Sequence, residues 1–104
     1  MFEAMGSDGE VEVKHEDTKH RGAFFVERDG KRVAKQTYKR ADERTVTVDH
    51  TLVDESLRGQ GVARRLLDAL VAWARASGTR VRATCPYARA QFEKDESIQD
   101  VYER

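Results

Sequence analysis

Two hydrophobic periods divide the chain. Near its start, Val11, Val13 and His15 alternate with Glu12 and Lys14, the two-residue period of a half-buried strand. Residues 22–26 read Gly-Ala-Phe-Phe-Val, a β-prone run, and Asp29-Gly30 after them is a hairpin-turn signal. Residues 31–38 alternate again, with Val33 and Tyr38 as the larger apolar members. A polar connector at 40–43 precedes Thr45–Val53, whose β-branched residues suit a central strand. The spacing thus predicts an antiparallel meander of about four strands.

The period changes at residues 61–76. There Val62, Ala63, Leu66, Leu67, Leu70, Val71, Trp73 and Ala74 recur at helical spacing, and Leu66, Leu70 and Ala74 line one stripe. Gly78 stands where a left-handed C-terminal cap belongs. Residues 79–84 alternate as a strand. Cys85-Pro86 then opens a second helix running to about Lys94, with Cys85 at the cap and proline in a first turn that needs no N–H from it. The predicted order, β-β-β-β-α-β-α, is that of an α/β (α+β) domain: a mixed, mostly antiparallel sheet of about five strands carrying two main helices.

With 104 residues the chain has room for one domain. Residues 1–10 read as a flexible leader and 11–104 as the single domain. No apolar run approaches the roughly 20 residues that cross a bilayer, and the acidic start lacks the features of a secretory signal. One cysteine and three scattered histidines, His15, His20 and His50, give neither a disulfide framework nor a zinc motif. The expectation is a cytoplasmic protein with no metal and no membrane partner. Lys plus Arg equals Asp plus Glu, 19 each, which argues against a dedicated nucleic-acid binder. The balance hides a basic middle, with Arg58, Arg64, Arg65, Arg75, Arg80 and Arg82 against Asp68 alone, and an acidic end. Such a middle suits an anionic small ligand at least as well as a polynucleotide.

The connection between the central strand and the first helix carries the clearest chemistry. Gly59 and Gly61 flank Gln60 just ahead of Val62 and Ala63, and neither glycine has a side chain to keep an anion from the main chain. A helix start adds unpaired N–H donors and the positive end of the dipole, and Arg58 adds a full charge. The set suits a pyrophosphate, although a tight turn that merely needs glycine explains the same pair. A dinucleotide fold is a poor match, since the third glycine and a second βαβ half are missing. The GxxxxGK[ST] phosphate loop is absent as well.

Arg58-Gly-Gln-Gly-Val-Ala63 resembles the (Arg/Gln)-x-x-Gly-x-(Gly/Ala) loop of the GNAT superfamily of acyl-CoA-dependent N-acyltransferases. His50-Thr-Leu-Val53 before it, the leucine-rich helix after it and Cys85-Pro86-Tyr87 beyond the next strand extend the likeness to the small single-domain members. The resemblance implies acetyl-CoA as co-substrate. Arg58, Gly59, Gln60, Gly61, Val62 and Ala63 would hold its pyrophosphate, and the backbone of Thr51, Leu52 and Val53 its pantetheine arm. It also implies that the central strand splays from the strand at 79–84. Larger relatives begin with helices that help form the acceptor pocket; here strands start almost at once.

Three residues are candidates for the chemistry. Cys85, at a helix start that favours a thiolate, is either an acyl-carrying nucleophile or a small buried core residue. Tyr87 is a donor to the departing thiolate by family resemblance, or a half-polar ring packed on the sheet. His50, just before the pantetheine segment, is a general base or an ordinary strand histidine. Asp49 is expected on the opposite face of the strand from His50. Glu55 is a weaker candidate for holding a cationic acceptor. Arg64 and Arg65 could meet the adenosine 3′-phosphate, and Trp73 is expected to pack. The sequence thus reads as an N-acetyltransferase moving an acetyl group to a small amine or lysine-containing acceptor. The alternatives are an acyl-CoA-binding module without turnover and a small nucleic-acid binder using the arginine-rich middle.

Overall fold

A computed structural model describes residues 11–104; the expected leader at 1–10 lies outside the described residues. Five strands form one sheet in sequential order: β1 (Lys14–Asp17), β2 (Arg21–Arg28), β3 (Lys31–Asp42), β4 (Thr45–Val53) and β5 (Arg80–Ala83). The first four pair antiparallel and β5 joins β4 in parallel. The helix α1 (Val62–Ser77) makes the β4–β5 crossover, and α2 (Pro86–Lys94) follows β5. The predicted order holds throughout.

Local chemistry accounts for the joints. Asp29 and Gly30 both adopt positive φ, 53° and 79°, as a tight two-residue hairpin requires. Gly78 ends α1 at φ 72° and its N–H donates to the Ala74 carbonyl. Cys85 does occupy the cap position of α2, with Pro86 in the first turn. β3, however, runs on to Asp42 and absorbs most of the expected polar connector, because Lys39, Arg40 and Asp42 find partners on β4.

Alternation sorts the strand residues into two layers. Phe24, Val26, Ala34, Tyr38, Val46 and Val48 face the helices, where the Leu66, Leu67, Leu70 and Ala74 stripe of α1 meets them in one core. Gln36 is buried in the same row. Trp73 packs there too, its ring 5.3 Å from that of Tyr38 and 5.8 Å from Phe24. Gly22 is obligatory for a steric reason: a Cβ there would stand 2.3 Å from Tyr38 Oη and 2.5 Å from the Glu16 carbonyl oxygen. The Tyr38 hydroxyl passes over Gly22 to donate to Asp17 Oδ1 at 2.9 Å, so its oxygen accepts from His15 Nε2 at 2.8 Å.

The C-terminal segment, unreadable in sequence, closes the open edge of β5. Glu96–Val101 forms a 3-10 turn, Tyr102 bridges to Val81, and Glu103 N–H donates to the Val81 carbonyl at 2.7 Å. Covering an edge in this way removes a template for aggregation. Acidic and basic blocks of the sequence meet here. Arg75 grips Asp100 with two bonds of 2.8 Å, Arg82 pairs with Glu103, and Arg80 donates to the carbonyls of Asp100 and Tyr102. Much of the basic middle therefore serves the fold.

Candidate active site

The parallel ladder between β4 and β5 is short. It runs from Thr45–Arg80 to Val48–Ala83, and then the Val48 carbonyl receives the N–H groups of both Thr84 and Cys85, at 2.9 and 3.0 Å. At that fork the chains part. His50 to Val53 stay paired with β3 on one side only, so alternate N–H and C=O groups point into the gap toward β5. This is the splay that the resemblance implied.

At the wide end of the gap lies the glycine loop. Asp54 starts it by accepting from Ser56 N–H at 2.9 Å and from Ser56 Oγ at 2.8 Å, bonds that hold its carboxyl below the usual carboxylate range. Leu57 is buried as a plug beneath the turn. Gly59 and Gly61 then take φ of 81° and 74°, and a Cβ on either would meet none of the described residues within 4 Å. Glycine is needed for the backbone angle, and the space beside it is open. Gly61 caps α1 without a side-chain bond, and no acidic residue stands in the first turn. The positive end of a 16-residue helix is thus left uncompensated.

Val53, Arg58, Gly59, Gly61, Val62, Ala63 and Tyr87 line one cleft of about 260 Å³ here. The parallel crossover thus brings Val53 and Tyr87 together with the glycine loop. Burial pushes the Tyr87 phenol up from its ordinary pKa, more than the nearby charges move it. The Arg58 N–H donates to the Glu55 carbonyl at 3.2 Å, while its side chain makes no hydrogen bond or ion pair among the described residues and stands beside the loop. Gln60 turns back to donate to the Ser56 carbonyl at 3.2 Å. Glu55 is exposed on the same loop.

Arg64 has a structural task. Its guanidinium is spent on Asp68 Oδ1 at 2.9 Å, Gln91 Oε1 at 2.8 Å and Asp95 Oδ2, which fastens the start of α1 to the far end of α2. It is therefore a latch between the two helices, and it also lines the glycine-loop cleft. Arg65 is exposed on the neighbouring face.

The three catalytic candidates separate. Cys85 is 3% exposed, and its Sγ lies 3.2 Å from Thr51 Oγ1, which in turn accepts from Gln36 Nε2 at 3.0 Å. Gln36 Oε1 is buried without a partner among the described residues, an arrangement that costs about 1–3 kcal/mol. His50 pairs with Thr37, one residue out of step with the Gln36–Thr51 pair, so it projects from the opposite face of the sheet to Thr51 and Cys85. It is exposed there.

Asp49 also corrects the sequence expectation. A β-bulge falls where Tyr38 pairs with Val48 while Thr37 pairs with His50, leaving Asp49 as the extra residue. Asp49 and His50 consequently line the same cleft on the uncovered face, instead of facing opposite ways. No local sequence signal marks this bulge; it is set by how β3 and β4 pair.

The forked mixed sheet, with a glycine-turned helix start at the mouth of the fork, defines a GNAT-type fold. Residues 23–101 match the family described as GCN5-related N-acetyl-transferase, and the chain belongs to that family. Among solved structures, a GCN5-like N-acetyltransferase candidate from Staphylococcus aureus is 34% identical. The match covers 89% of this chain and 88% of that one, with a TM-score of 0.69. A ribosomal-protein-alanine N-acetyltransferase from Brucella melitensis biovar Abortus 2308 shares the fold at 24% identity and TM-score 0.61, covering 74% of this chain and 62% of that one. A GNAT family acetyltransferase from Elizabethkingia anophelis with acetyl-CoA bound shares it at 14% identity and TM-score 0.51, over 60% and 41% of the two chains. No curated protein matches the chain. Among the described residues no helix is long and apolar enough to cross a membrane.

Proposed function

We propose that the chain is an acyl-CoA-dependent N-acyltransferase that moves an acetyl group from acetyl-CoA to a primary amine. One observation carries this reading: an uncapped, acid-free helix start under two positive-φ glycines opens onto the gap between β4 and β5. The main-chain N–H groups of Gly59, Gln60, Gly61, Val62 and Ala63 suit the pyrophosphate, with Arg58 adding charge. The free edge of β4 at Thr51, Leu52 and Val53 suits the amide-bearing pantetheine arm.

Acyl transfer forms a C–N bond and breaks a C–S bond, so the acceptor must lose a proton and the departing sulfur must be stabilised. His50, open to the uncovered face, takes the proton from the acceptor's ammonium. Tyr87 shares the cleft with the glycine loop, and burial keeps its proton on the phenol. It donates a hydrogen bond to the departing sulfur. A covalent route through Cys85 has less support, since its Sγ is nearly inaccessible and held against Thr51. In that route Sγ would take the acetyl group by thioester exchange, releasing coenzyme thiol before the amine attacks.

Calorimetry with acetyl-CoA tests the coenzyme site, and no heat of binding at near-millimolar ligand would sink the reading. Thiol release over a panel of amines and lysine peptides then separates a transferase from a binding module. Intact mass after mixing with acetyl-CoA decides the Cys85 route: an added acetyl group that disappears in Cys85→Ala supports it, and an unchanged mass removes it.

A further inference from the structure

The sheet face turned away from α1 and α2 carries a second cleft, of about 390 Å³. Arg21 on β2, Thr37 and Lys39 on β3 and Asp49 and His50 on β4 contribute to it, with Glu16 of β1 at its rim. Its β4 end lies at the bulge, next to the point where β4 leaves β5. The two ends of this cleft are chemically unlike.

At the β4 end the bulge sets an acid and a base side by side. Thr37 Oγ1 donates to Asp49 Oδ1 at 2.6 Å and fixes the carboxylate. Among the described residues the other oxygen, Oδ2, meets only Lys39 Nζ at 3.9 Å, and that lysine side chain is 71% exposed. So loose a pair contributes little in water, and a substrate ammonium displaces it readily. At the β2 end, Arg21 and Lys39 are direct cross-strand partners. Like charges directly opposite are destabilising, and Arg21 has no ion pair among the described residues. The third cation, Arg32, is already committed to Glu16 and to the Phe25 ring. β2 and β4 stand two interstrand spacings apart, about 10 Å. An arginine reaching across β3 narrows this to a few carbons.

We propose that the acceptor bound in this cleft is a primary amine carrying a carboxylate a few carbons away. Its amine rests on Asp49 beside His50, and its carboxylate is held by Arg21 and Lys39, where it offsets their mutual repulsion. A diamine or larger polycation is disfavoured, since its second charge would fall among Arg21, Arg32 and Lys39. The transfer chemistry rests on the acyltransferase reading; the binding site does not.

The test titrates 4-aminobutyrate, butylamine and putrescine into the ¹⁵N-labelled full chain, with and without acetyl-CoA. The amide resonances of Thr37, Lys39, Asp49 and His50 are followed, and thiol release is read in parallel. Saturable shifts at these residues are expected, with 4-aminobutyrate binding about tenfold or more tighter than butylamine and putrescine weakest. Arg21→Gln, at an exposed position, should reduce that preference about tenfold while the thermal midpoint holds. Saturable shifts without thiol release leave the site in place and remove the transferase reading instead. Absent shifts at these four residues, or equal or tighter binding of butylamine or putrescine, overturn the site.

Discussion

Gly61 and Gly78 bracket α1 and allow backbone strain to be separated from ligand contact. Both sit at left-handed φ, 74° and 72°, and at both a Cβ would meet none of the described residues within 4 Å. Alanine at either position therefore carries no steric clash, only the conformational cost of placing an L-residue there, about 1–2 kcal/mol. In a domain of this size that lowers the thermal midpoint by about 4–8 °C per kcal/mol. The two variants should melt alike. They should not bind alike, because only Gly61 lines the cleft with Gly59, Val62 and Ala63. A methyl group there occupies the space beside the helix N–H groups and displaces a pyrophosphate from at least one charge-assisted hydrogen bond, worth about 1.5–3 kcal/mol. That corresponds to about 10- to 100-fold in Kd for acetyl-CoA. Calorimetry on both variants, below their melting range, is the assay. If Gly61→Ala keeps the parent affinity, or Gly78→Ala loses as much, the loop does not hold the coenzyme through its main chain.

Other consequences are open to measurement. Gly22→Ala drives a methyl into Tyr38 Oη and the Glu16 carbonyl, and urea denaturation should show a loss of about 1–3 kcal/mol. Tyr87→Phe should lower kcat about 10²–10³-fold through loss of a donor to developing charge; an unchanged kcat would remove the tyrosine from the chemistry. His15 stacks on Phe24 at 3.9 Å, and burial there lowers its pKa, so the neutral ring is the folded form. Its contribution to stability is then present above the unfolded value of 6.5 and lost as pH falls through the lower folded value. Trp73 lies 4.9 Å from the imidazole, so its fluorescence during denaturation at pH 7.5 and pH 5 reads this loss directly. The pH effect should shrink in His15→Asn.

The helix face, the caps and the glycine turns were legible because each is local. A stripe of Leu66, Leu70 and Ala74, a glycine after Ser77 and a proline after Cys85 carry their reasons within a few residues. The backbone of the glycine loop was legible on the same terms, since positive φ at Gly59 and Gly61 and an uncapped helix start need no distant partner. What the sequence could not reveal depends on pairing between segments far apart in the chain. The bulge at Asp49 arises from how β3 meets β4, and it turns an acid expected on the far face into a neighbour of His50. The same distance rule hid the latch at Arg64, whose partners Gln91 and Asp95 come from the next helix and its end. It also put Cys85 and His50 on opposite sides of the sheet. Period and propensity act along the chain over a few residues and so settle elements. Register, bulges and ion pairs between elements are fixed only when the whole core closes.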